Sequence, residues 1–114
     1  MHEAALIEYT LDAVEKAARI HGIGKVTEIN LVIGKLRYAL PGLMQSAFRL
    51  LSGDTMFEGC VLSIEEQDPV LRCLECGSES DVSDLEADTC PCCGSQRVKL
   101  VHGEELLIAS FKGY

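Results

Sequence analysis

The chain has 114 residues, 47% of them hydrophobic, with no Trp and a formal net charge of -8. That length suits one modest core built from Leu, Ile, Val and Ala, and leaves no room for a second full domain. The acidic balance opposes binding to a phosphate backbone, and no apolar run nears the roughly 18 residues of a membrane-crossing helix, so nucleic acid and membrane are not expected partners. The start, Met1-His2-Glu3, carries no basic leader, and a cytoplasmic protein is expected.

Within residues 4–20, Ile7, Leu11, Val14 and Ala18 fall on one helical face, and Gly22 and Gly24 close the helix. Residues 26–33 are rich in β-branched side chains, with Ile29, Leu31 and Ile33 on one face of a strand that Gly34 ends. Pro41 suits the first turn of a second helix, whose Met44, Ala47, Phe48 and Leu51 form its apolar face. Cys60, Leu62 and Ile64 then alternate with Val61, Ser63 and Glu65, predicting a strand to about Glu66. Asp68 and Pro69 break the pattern. The stretch beyond them has too few large apolar side chains for a core of its own and needs a metal. Residues 106–111 return to an apolar run that reads as a buried strand. It has no partner within the cysteine stretch, so it is expected to rejoin the first sheet and make that stretch an insertion.

The insertion holds Cys73-Leu74-Glu75-Cys76-Gly77 and Cys90-Pro91-Cys92-Cys93-Gly94. Two Cys-x-x-Cys turns offer two thiolates each to one tetrahedral ion, and a glycine after each pair lets backbone amides turn toward sulfur. A thioredoxin-like redox pair, a rubredoxin-like iron site and disulfides compete with zinc. Doubled pairs in a chain without a secretory leader favour zinc on Cys73, Cys76, Cys90 and Cys93. Four thiolates close the coordination sphere, so the ion is structural. Cys92 is read as a spare thiol, and Cys60 as a small buried hydrophobe on the strand face.

His2 offers an imidazole beside its own amide nitrogen and the terminal amine of Met1. Such a nitrogen-rich, planar set suits Ni(II) or Cu(II). His21 belongs at the first helix's C-terminus, where a cation is welcome, and His102 reads as an exposed loop residue within reach of either metal.

The opening Met1-His2-Glu3, the strand ending Ile33-Gly34-Lys35-Leu36, the stretch Gly53-Asp54-Thr55-Met56-Phe57-Glu58-Gly59, the cysteine doublet and Gly103-Glu104-Glu105-Leu106 together resemble the HypA/HybF hydrogenase maturation factors over essentially the whole chain. The resemblance implies an α+β fold, two helices packed on a three-stranded sheet with an inserted four-cysteine zinc ribbon. Residues 1–68 with 103–114 are then the nickel-binding domain and residues 69–102 the ribbon. It also implies a nickel metallochaperone, not an enzyme, that works with the GTPase HypB and delivers Ni(II) to the large subunit of a nickel–iron hydrogenase; a homodimer is compatible with it. Nickel ligands would be the Met1 terminal amine, His2 and the Glu3 backbone. One departure is Gly34-Lys35-Leu36, where Gly-Glu-Leu is common, which removes an acidic group near a partner surface. The alternative to nickel delivery is a zinc-ribbon module for nucleic acid or protein. An enzyme is disfavoured, because no nucleophile, base and orienting group occur at recognisable spacing.

Overall fold

A computed structural model describes residues 2–81 and 89–114. Helix α1 spans Glu3–Ile20 and buries Leu6, Ile7, Thr10, Leu11, Val14 and Ala18, the expected stripe widened by one column. Thr10 is admitted to the core because its hydroxyl donates to the Leu6 carbonyl at 2.8 Å. The helix ends as predicted. Gly22 takes φ +70, and the Ile23 amide reaches back to the Ala18 carbonyl at 2.8 Å, a closing turn that seats Ile23 against the core.

Strand β1, Val26–Gly34, leads through a short 3-10 turn, Lys35–Arg37, to helix α2, Pro41–Ser52, and then to β2, Val61–Gln67. β1 and β2 are parallel, as a helix crossover allows, with Ile29 opposite Leu62 and Leu31 opposite Ile64. Val26, Ile29, Leu31 and Ile33 of β1 pack with the α1 stripe and with Met44 and Phe48 of α2, so both helices cover the same face of the sheet.

The third strand of this sheet is β6, Leu106–Gly113, antiparallel to β1 on the side away from β2. It is half-buried at a sheet edge, with Leu107 55% exposed, and not the fully buried strand that its apolar run suggests. Its alternation is also broken. Ile108 pairs with Leu31 and Ser110 with Asn30, so a bulge at Ala109 returns Phe111, opposite Ile29, to the core face. Tyr114 completes the edge, its amide and carbonyl bonding residues 24 and 25.

A second, smaller sheet lies between β2 and β6. Its strands are β3, Val70–Cys73, β4, Glu79–Asp81, and β5, Val98–His102, with β3 in the middle and both pairings antiparallel. Among its described residues only Cys73 and Cys90 are buried hydrophobes; Val70, Leu71, Leu100 and Val101 are half-exposed. The sequence did not mark these three short strands. The expected α+β arrangement, two helices on a three-stranded sheet with an inserted four-cysteine ribbon, is the one observed.

Candidate metal centre

Each Cys-x-x-Cys segment folds into a turn with the same wiring. In the first, the Cys73 amide donates to the Ser78 carbonyl at 2.9 Å and the Gly77 amide to the Cys73 carbonyl at 3.0 Å. In the second, the Cys90 amide meets the Ser95 carbonyl and the Gly94 amide the Cys90 carbonyl, both at 2.8 Å. Gly77 and Gly94 sit at φ +76 and +74, the left-handed region that glycine enters without cost. The amides of Glu75 and Cys76 then point at Cys73 Sγ (3.4 and 3.3 Å), and those of Cys92 and Cys93 at Cys90 Sγ (3.4 and 3.5 Å). These donors favour sulfur in its anionic form.

Together the two turns bring the four Sγ atoms of Cys73, Cys76, Cys90 and Cys93 within 4.8 Å of one another. Cys73 lies 3.6 Å from Cys93 and Cys76 lies 3.6 Å from Cys90. Zinc–sulfur bonds of about 2.3 Å in a tetrahedron put sulfurs about 3.8 Å apart, so the donor set and its size suit such an ion. The charge balance within the cluster points the same way. Bonds from the Cys93 amide and the Ser78 hydroxyl pull the Cys90 thiol down to about 6. Cys76 is lowered chiefly by the Ser78 hydroxyl at 3.1 Å. Cys93 has a lowering bond from Ser95, yet contact with the Cys73 thiol, burial and the other sulfurs push it up to about 12. Cys76 and Cys90 are thus drawn toward thiolate while Cys93 beside them resists it, an opposition that a central cation would relieve.

Ser78 was not singled out in the sequence, although it stands within 3.6 Å of Cys90 as well. A signal existed. Both turns read Cys-Gly-Ser, and a serine repeated in step with a ligand pair marks a repeated structural role. Cys92 is exposed and outside the four-sulfur cluster. Cys60 precedes β2 and is only half-buried, packed against the core; burial pushes its thiol up, which keeps it protonated and unreactive. His102 is not in a loop. It is the last residue of β5, its ring Nδ1 lies 2.9 Å from the Glu105 carboxylate, and it does not join the cysteine cluster.

At the other end of the molecule, Met1 lies outside the described residues. His2 is exposed at the N-cap of α1 with an extended backbone (φ -70, ψ 148), and its carbonyl accepts the Leu6 amide at 3.1 Å. Its ring makes no capping bond. Glu3 begins the helix, and its carboxylate accepts its own amide and that of Leu40, at 3.2 Å, which holds it below the usual carboxylate range. The negative charge thus sits over the electropositive end of α1. Among the described residues, no cluster of three metal-ligating side chains includes His2.

Comparison with known proteins agrees with this architecture. The family model described as hydrogenase/urease nickel incorporation, metallochaperone, HypA, matches residues 1–113. The chain is 38% identical over 113 residues to the hydrogenase maturation factor HypA of Moorella thermoacetica, covering 99% of both chains, and 38% identical over 111 residues to that of Chlorobaculum tepidum, covering 97% of both. It is 31% identical to the hydrogenase maturation factor HybF of Klebsiella pneumoniae over 113 residues, 99% of each chain. The solution structure of the Ni metallochaperone HypA from Helicobacter pylori shares the fold at TM-score 0.73 and 22% identity, over 99% of this chain and 97% of that one. No helix among the described residues is long and apolar enough to cross a membrane. The whole-chain match, the shared fold and the four-cysteine centre place this chain in the HypA family of hydrogenase and urease nickel-incorporation metallochaperones.

Proposed function

We propose that the protein carries Ni(II) on its first residues and hands it on for maturation of a nickel–iron hydrogenase, while one Zn(II) on Cys73, Cys76, Cys90 and Cys93 holds the ribbon together. The observation that carries this reading is the family match over residues 1–113, which includes the opening Met-His-Glu. The surroundings of His2 support it. With Met1 as the free terminus, its amine, the His2 amide and imidazole and the Glu3 backbone can be drawn onto one ion without disturbing the core, because His2 is exposed and outside the helix. Such ligands must lose protons to bind, so affinity falls as pH drops. Nickel is cargo here, and no bond of a substrate is made or broken; the protein acts as a carrier, not an enzyme.

The same reading makes residues 1–68 with 103–114 the nickel-binding part and residues 69–102 the zinc part. It takes HypB and the hydrogenase large subunit as partners, the cytoplasm as the setting, and a homodimer as compatible with delivery. A nucleic-acid ribbon is disfavoured by charge. Arg72 pairs with Glu79 at 3.1 Å and Arg97 with Glu75 at 3.9 Å, so basic groups of the ribbon face acidic neighbours instead of forming a positive surface.

Calorimetric titration of Ni(II) into zinc-loaded protein with a native N-terminus tests the proposal. One equivalent should bind, and His2→Ala should remove that binding while zinc content stays at one per chain. Unchanged nickel affinity in His2→Ala would sink it.

A further inference from the structure

The two halves of the cysteine ribbon repeat one sequence pattern, Cys-x-x-Cys-Gly-Ser, at residues 73–78 and 90–95. Their backbones repeat as well. In each, the first sulfur accepts two amides from its own turn, the first cysteine's amide meets the serine carbonyl, and the glycine takes a left-handed φ. Equal backbones ought to make equal ligands, but the two serine side chains break that equality.

Ser78 turns its hydroxyl into the cluster, 3.1 Å from Cys76 Sγ and 3.6 Å from Cys90 Sγ. Ser95, its counterpart, turns its hydroxyl away from the sulfurs, where it accepts the Arg97 amide at 3.0 Å. The sulfurs therefore differ in how many donors reach them. Cys73 takes the amides of Glu75 and Cys76, and Cys90 takes those of Cys92 and Cys93 and lies beside the Ser78 hydroxyl as well. Cys76 has the Ser78 amide and hydroxyl. Among the described residues, Cys93 has the Ser95 amide and meets no hydroxyl.

Exposure sharpens the contrast. Cys73 and Cys90 are buried, 2% and 4% exposed, whereas Cys76 and Cys93 are open to solvent. Approach from solvent thus reaches the second cysteine of each turn, and of these two only Cys76 has a hydroxyl beside it. A donor stabilises charge on a thiolate and makes it a poorer nucleophile.

We infer that Cys93 is the reactive thiolate of the ribbon, the sulfur at which a soft carbon electrophile modifies the zinc-loaded protein, and that Ser78 is the positioning residue that keeps Cys76 from competing. This rests on the zinc reading above. In the step, Cys93 Sγ attacks the electrophilic carbon, a carbon–sulfur bond forms, and the leaving group departs with the electron pair of the bond it breaks. The thioether left behind carries no charge, so zinc loses one of its four anionic donors and the site opens at Cys93 first. Cys92 is exposed but outside the cluster, and Cys92→Ser removes it as a competing thiol while keeping its amide on Cys90 Sγ.

The test treats zinc-loaded Cys92→Ser protein with less than one equivalent of iodoacetamide, iodide being the leaving group, and locates the label on singly modified chains by tandem mass spectrometry. Cys93 should carry it about tenfold more often than Cys76, with Cys73 and Cys90 lower still. Adding Ser78→Ala should raise labelling of Cys76 until it rivals Cys93, and Ser78→Thr, which keeps the hydroxyl, should restore the original ratio. Ser95→Ala should leave that ratio unchanged, because its hydroxyl serves the Arg97 amide. Label on Cys76 equal to or above that on Cys93 in the Cys92→Ser protein would overturn the inference, and an unaltered ratio in Ser78→Ala would overturn the role of Ser78. If the four cysteines reacted no faster after chelation than in the zinc-loaded protein, the zinc reading would fall and the inference with it; protection by zinc with Cys76 labelled first would refute the inference alone.

Discussion

Strand β1 buries Val26, Ile29, Leu31 and Ile33 between two helices and two neighbouring strands, whereas β3, the central strand of the ribbon, buries only Cys73. Both are middle strands of three-stranded sheets. The first sheet is held by removing apolar side chains from water, which requires many residues contributed by many elements. Among its described residues the ribbon has no such reserve, and what converges there is four sulfurs within 4.8 Å of one another. On the proposed reading the two sheets are held by different means, apolar burial in the first and a bound metal in the second, and only the second should be lost on metal removal.

Chelation breaks the comparison most severely. Stripping zinc, or replacing Cys73 with Ser, should abolish amide dispersion in β3, β4 and β5 while β1, β2 and β6 keep theirs; two-dimensional NMR with and without a chelator reads this directly. The converse substitution, Leu31→Ala, removes a side chain that is 1% exposed and should cost about 2–5 kcal/mol in denaturant unfolding of the larger sheet. Zinc retention measured by metal analysis should not change. If Leu31→Ala released zinc from folded protein, the two parts would not be independent.

Within the ribbon, Ser78→Ala deletes the hydroxyl beside Cys76 and Cys90 and should weaken zinc about tenfold in chelator competition, with the fold intact. The smallest effect belongs to the connection between β5 and β6. Burial pushes the Glu105 carboxyl up, but bonds from the Gly103 amide, its own amide and His102 outweigh that and leave it below the usual carboxylate range. A depressed folded-state pKa means that its contribution is present above the unfolded pKa and is lost as pH falls through the folded value. Wild type should thus be more stable than Glu105→Gln near neutral pH, and the gap should close only below the ordinary carboxylate range. A gap that persisted unchanged at strongly acidic pH would assign it to shape, not charge.

How much of this was legible in the sequence follows from the range of the interactions. The α1 stripe, the β1 face and the two cysteine turns are local patterns, set by periods of a few residues, and they appear as read. Gly22, Gly77 and Gly94 were legible for the same reason: each supplies a positive φ at the end of a local element. The register of β6 was not, because the bulge at Ala109 reverses the facing of Phe111 and depends on its pairing with β1. Nor were the partners of Lys35 and Glu105, since nothing in either neighbourhood names Asp68 or Gly103. The four-cysteine cluster was visible in the sequence, but the Ser78 hydroxyl beside it was not. His2 was legible as a candidate ligand only through its place at the start of the chain.

Whether cargo metal and structural metal occupy separate ends of the molecule is tested most directly by nickel titration of the zinc-loaded protein against a version acetylated at the Met1 α-amine. Acetylation should abolish nickel binding, because it converts the terminal amine into an amide and supplies no new amine, while one zinc per chain and the dispersion of both sheets remain. Equal nickel affinity in the acetylated protein, or nickel binding that displaces zinc from the four cysteines, would contradict it.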